Sequence, residues 1–94
     1  MKEEDFIIIG NKYPSDYILA ALSMIYAGAT EIGILARGNK TSLAIDTAER
    51  IRSKFSSKEL GEFDYSEIKI STDVINIEGK DRRFSSIRLV LSKK

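Results

Sequence analysis

Ninety-four residues suffice for one compact domain, and a second core would lack apolar surface to bury. The chain has no Cys, His or Trp, which excludes disulfides, thiolate metal sites and imidazole chemistry, so that any metal site would have to be all-oxygen. The net charge of +1 conceals an asymmetry: residues 1–79 carry 9 basic and 13 acidic side chains, a balance of −4, whereas residues 80–94 carry 6 basic ones against Asp81 alone, a balance of +5. Such a segment points to an anionic partner or to a solubilising basic end.

In chain order, Phe6 to Ile9 is a β-branched run closed by Gly10, the mark of a buried strand. Pro14 and Ser15 start a helix whose apolar positions are Ile18, Ala21, Leu22, Ile25 and Tyr26, with Gly28 as its stop. Residues 31–37 (EIGILAR) form a second strand broken by Gly38, and a second helix follows with Asn39 or Thr41 as N-cap. Its apolar stripe is Ala44, Ala48, Ile51 and Phe55. After a polar loop come two more strands, Tyr65 to about Ile75 and Phe84 to Ser92, joined by INIEGKDRR, which reads as the solvent-projecting tip of a hairpin.

The order β-α-β-α-β-β, with no linker long enough to divide it, predicts a single domain over residues 1–94. Its class is α+β: a two-layer sandwich of four strands with both helices on one face and a projecting hairpin between the third and fourth strands. No apolar run approaches the ~20 residues of a membrane span, and MKEED lacks the order of a secretory signal, so the expected location is cytoplasmic.

The tripeptide GNK occurs at both strand–helix junctions, residues 10–12 and 38–40. Parallel first and second strands would bring both junctions to one sheet end, each with helix N–H groups suited to an anion. Lys12, Lys40 and Arg37 add charge there, and Asn11 and Asn39 can cap or donate. The same residues are also ordinary turn formers. The pattern is neither a P-loop nor GxGxxG, and the sequon Asn39-Lys40-Thr41 has no bearing in a chain without a secretory signal.

These segments, IIIGNKYPSDYILAAL, EIGILARGNKTSLAIDTAERIRSKF and a basic hairpin ending in LVLSKK, resemble the Alba family of archaeal chromatin proteins over nearly the whole chain after the first five residues. The IG-x-K turn, the YxLAAL helix, the ARG turn and the AxDTxExxRxxF helix stand in register. The resemblance implies a homodimer or heterodimer that binds double-stranded DNA and often RNA, associated with the chromosome. The strand–helix turns would form the body of the surface, and the hairpins would act as arms along the minor groove. It places Asn11, Lys12, Arg37, Asn39, Lys40, Lys80, Arg82 and Arg83 on the nucleic-acid face. Phe55 falls where family members pack dimer against dimer, although it suits the helix's own stripe equally well.

The chain also departs from the family. The first turn commonly carries a lysine pair, whose first lysine is subject to acetylation; Asn11 stands there instead. Asn39 and Leu43 replace an arginine and a lysine of the second turn, and Asp16 adds an acid near the first. Fewer phosphate contacts imply weaker, less salt-dependent binding and suggest pairing with a more basic paralogue. No cofactor, metal or membrane partner is expected, nor catalysis. The competing readings are an assembly subunit that scarcely touches nucleic acid, and a small phosphometabolite enzyme using Asp16, Lys12 and Tyr13.

Overall fold

The computed structural model describes residues 5–54 and 60–94. Its elements are β1 (Phe6–Ile8), α1 (Pro14–Tyr26), β2 (Glu31–Arg37), a 3-10 turn (Gly38–Lys40), α2 (Thr41–Lys54), β3 (Phe63–Ile77) and β4 (Lys80–Lys93). The strands form one sheet in the order β1-β2-β4-β3. β1 runs parallel to β2, and β4 is antiparallel to both β2 and β3. This is the α+β arrangement expected.

Helix α1 starts at Pro14, where a missing N–H does no harm, and the Asp16 carboxylate accepts the Tyr13 N–H at 3.2 Å. Its buried residues are Tyr17, Ala21 and Ile25, spaced i, i+4, i+8. The stripe is therefore rotated from the one anticipated: Ile18 and Leu22 lie at its margin, and Tyr26 faces solvent, 74% exposed. In α2 the predicted Ala44, Ala48 and Ile51 are buried, joined by Thr47, whose hydroxyl donates to the Leu43 carbonyl at 2.7 Å. Ala44, Ala48 and Ile51 meet the inward side chains of β2 (Ile32, Ile34, Ala36) and β4 (Ile87, Leu89, Leu91) in one cluster. Each fully buried Ile or Leu contributes about 1.5–3 kcal/mol.

The hairpin is more regular than its polar sequence suggests. Pairing runs without a break in the outer part, from Ser71↔Ser86 to Ile77↔Lys80, so the projecting hairpin is present and its strands extend past the expected ends at about Ile75 and Phe84. The turn is Glu78-Gly79, with φ of 52° and 80°, the two positive values of a type I′ hairpin. The longest dimension of the molecule is 51 Å. Ile68, Ile70 and Val74, although they alternate correctly for a strand, are 60%, 74% and 57% exposed. β3 is an outer strand, with no further strand on its free edge among the described residues.

On the sheet face away from the helices, the Phe6 ring lies against Gly33, where any Cβ would collide with it. The Arg88 guanidinium stacks 4.4 Å above that ring. Beside this stack a groove of about 470 Å³ runs between Ile8, Leu35, Arg37, Ser71, Asp73 and Ser86.

Candidate nucleic-acid interface

Strand direction brings three features together. Because β1 and β2 are parallel and pair Ile8 with Leu35, the turns that follow them leave the sheet at the same end. β4 runs the other way and pairs Ser86 with Arg37, so its residues before Ser86 extend past that end and form the arm with β3. At ~3.3 Å per residue the arm reaches roughly 20 Å beyond the sheet.

In the first turn Asn11 and Lys12 are exposed. The backbone amides of Gly10 and Lys12 are engaged, donating to the Tyr17 hydroxyl oxygen at 2.8 and 3.0 Å. The anticipated cradle of free amides is thus partly closed from within, and what this turn offers an anion is chiefly side chains. Tyr17, to which the sequence reading gave no role, is the side chain that closes this turn. Its signals were a polar-tipped ring among aliphatic core positions one turn into the helix and its place at the head of the YxLAAL segment. Asp16 is spent on the Tyr13 N–H, a helix-start role that competes with its casting as a catalytic acid.

The second turn is built differently. Gly38, at φ 61°, opens a 3-10 turn that contains Asn39 and Lys40. Among the described hydrogen bonds neither Asn39 nor Thr41 accepts as a side-chain cap: Arg37 is the N-cap of the 3-10 turn, and the Thr41 hydroxyl donates backward to the Gly38 carbonyl at 3.0 Å. Asn39 is exposed and Lys40 half-buried. Leu43, in place of a family lysine, packs against the core cluster. Arg37 reaches across Ser86 to Asp73 on β3, with Nε and Nη2 each 3.0 Å from Asp73 Oδ2.

On the arm Lys80, Arg82 and Arg83 are all exposed. Register puts Arg82 opposite Ile75 and Lys80 opposite Ile77, on the face of the ladder shared by Arg37 and Asp73; Arg83, opposite Val74, belongs to the other face. Acids are interspersed: Glu78 sits in the turn, and Asp81 accepts from Asn76 Nδ2 at 3.1 Å. The remaining cations of the basic segment are elsewhere. Arg88 lies 3.2 Å from Glu67 in mid-sheet, and Lys94, at the far end of β4, lies 3.5 Å from Asp64. A concentration of charge along the chain is therefore dispersed in space.

The charges of α2 include an organised clamp. Glu49 accepts from Arg52 Nε at 2.8 Å and from the Tyr65 hydroxyl at 2.6 Å, tying α2 to β3. The hydrogen bond from Arg52, then that from Tyr65, holds the Glu49 carboxyl down at about 2. Burial, then the Glu49 bond, pushes the Tyr65 phenol up to about 12. Among the described residues no helix is long and apolar enough to cross a membrane, and no three acidic, His or Cys side chains converge on a metal site. Phe55 lies outside the described residues.

The Alba family profile matches residues 5–72, which leaves most of the arm beyond the match. The chain is similar to the DNA/RNA-binding protein Alba of Methanothrix thermoacetophila, 40% identical over 93 residues that cover 99% of this chain and 100% of that one. It is also similar to DNA/RNA-binding protein Alba 1 of Archaeoglobus fulgidus, 41% identical over 97% of this chain and 98% of that one. The solved structure of Alba from Thermoplasma volcanium superposes with a TM-score of 0.82 at 34% identity, covering 94% of this chain and 99% of that one. ALBA1 from Trypanosoma brucei shares the fold, with a TM-score of 0.70 at 13% identity over 98% of this chain and 72% of that one. With the strand–turn–helix junctions and the arm in place, and with a match over more than half its length, the chain belongs to the Alba family.

Proposed function

We propose that this protein binds double-stranded DNA, RNA or both without sequence specificity, in an architectural role on the chromosome, and acts by binding and not by catalysis. The reading rests on one observation: the turn after β1, the turn after β2 and the hairpin arm leave the sheet at the same end. Lys12, Arg37, Lys40, Lys80 and Arg82 then meet the phosphates of one duplex, with Asn11 and Asn39 as neutral donors. Arg83 engages from the other side of an arm lying in a groove. The names of the archaeal relatives support the ligand class. Neutralising backbone phosphates carries no base information, so DNA and RNA duplexes compete for one surface.

The exposed stripe Ile68, Ile70 and Val74 on the outer strand supports a homodimer across β3, which sets two arms on one duplex. The test is fluorescence anisotropy of matched DNA and RNA duplexes between 50 and 200 mM salt (about a fourfold span), together with sedimentation at each salt. The expected result is a dimer whose log affinity falls linearly with log salt. A monomer that binds neither duplex at the lowest salt would overturn the reading. Duplex binding only after a more basic paralogue is added would favour the heteromeric assembly subunit, a reading to which the Arg37–Asp73 pairing lends weight.

A further inference from the structure

The Arg37–Asp73 contact joins two residues far apart in the chain, one at the strand end that enters the second turn, the other at the root of the arm. Both Nε and Nη2 of Arg37 address the same oxygen, Asp73 Oδ2, at 3.0 Å. The guanidinium therefore meets a carboxylate oxygen in the geometry with which it would meet a phosphate oxygen. The β3–β4 ladder is continuous on both sides of Asp73 and does not depend on this contact for its register. The side chains are 52% and 35% exposed, and pairs so open to water contribute little to folding. The effect of the contact falls instead on what approaches Arg37 from solvent.

We infer that Asp73 is an internal phosphate surrogate that attenuates nucleic-acid binding at the second turn, occupying Arg37 until a backbone phosphate displaces it. This rests on the nucleic-acid reading above and adds to it the residue that sets its strength. A phosphate arriving at Arg37 meets a neutral pair instead of a cation. To bind, it must either take the two N–H groups from Asp73 or accept the remaining ones beside an uncompensated carboxylate. Lys12 has no such competitor among its described contacts, its one described bond being the backbone amide to Tyr17. The two turns therefore contribute unequally although both carry a basic side chain.

A double-mutant cycle on the full-length chain tests this, with duplex DNA as the probe and anisotropy as the readout. Asp73→Asn keeps the shape and removes the charge. It is expected to tighten binding severalfold and to steepen the log–log salt slope by up to about 0.9 per chain, one further phosphate neutralised. In an Arg37→Ala background the same change is expected to tighten binding less than twofold (roughly a residual long-range charge effect). Equal tightening in both backgrounds would mean that Asp73 acts only as a general negative charge, and would overturn the inference. So would no tightening in an otherwise binding protein. Failure of every variant to bind, wild type included, would remove the nucleic-acid reading and this inference with it, whereas Asp73→Asn binding where wild type does not would support both. The Arg37 Nε–H resonance of the unmutated chain provides a second readout. It is expected to shift when duplex is added, and an unmoved signal in the bound state would refute the exchange.

Discussion

The same three residues, Gly-Asn-Lys, follow β1 and β2, yet the two copies take up different structures. At residues 10–12 the segment is an open turn whose amides are gathered onto the Tyr17 hydroxyl, and Gly10 needs no unusual backbone angle. At residues 38–40 it is a 3-10 turn that begins with Gly38 at φ 61° and runs directly into α2. The first copy presents an exposed, unencumbered Lys12; the second is preceded by Arg37, already paired with Asp73. A short motif sets which groups are available at a junction. What surrounds it decides which of them are free.

The sharpest way to break this comparison is Tyr17→Phe, which keeps the buried ring and removes the acceptor of the first turn. Leaving two part-buried amides unpaired is expected to lower stability by about 1–3 kcal/mol in denaturant unfolding. The amides of Gly10 and Lys12 should lose protection from exchange while Gly38 to Lys40 stay unchanged. Unaltered stability and protection would mean that the first turn holds itself.

Glycine replacement sharpens the contrast at somewhat lower amplitude. Gly38→Ala must place a Cβ at a left-handed φ and is expected to cost about 1 kcal/mol. At Gly10 an added Cβ would meet only the Tyr17 hydroxyl oxygen at 3.8 Å, an ordinary contact, so Gly10→Ala should stay within about 0.5 kcal/mol of wild type. Equal costs at the two sites, measured by the same urea titrations, would erase the distinction.

A smaller change belongs to the salt dependence. Lys12→Ala is expected to reduce the log–log slope on duplex DNA by about 0.9 per chain. Lys94→Ala, at the far end of β4 beside Asp64, should leave it unaltered. The mildest perturbation lies away from both turns. The Glu49 carboxyl titrates at about 2 in the folded chain against an ordinary 4.5, so its contribution is full above pH 4.5 and fades as pH falls toward about 2. Arg52→Ala should flatten that part of the acid-unfolding profile without touching duplex affinity.

Much of the fold was legible from residues alone. The β-branched run at 6–9, the i, i+4, i+7 spacing of Ala44, Ala48 and Ile51, and the alternation of Ile87, Leu89 and Leu91 each report a local periodicity that packing then uses. Tyr26 was misjudged because a helix stripe read from spacing leaves its rotation about the axis open by a residue or so. Ile68 and Ile70 were read correctly as strand and only incompletely as surface, since alternation says nothing about whether a strand lies at the edge of its sheet. The projecting hairpin was legible too, but its strands run further than their apolar residues indicate, to Ile77 and from Lys80, because the ladder is closed by backbone hydrogen bonds that polar residues in solvent also make.

By itself the amino-acid sequence determined the element order, the glycine breaks, the inward faces of α2 and β4, and the presence of cations at both junctions. These are local properties, set by backbone sterics and by the burial preference of each side chain within a few residues. Only the tertiary structure decided which face of the arm each cation takes, which cations Asp73 and Glu67 neutralise, and that Tyr17 closes the first turn from inside. Those outcomes depend on groups 5 to 36 positions apart meeting in space. Electrostatic and hydrogen-bond strength depend on distance through space and not along the chain.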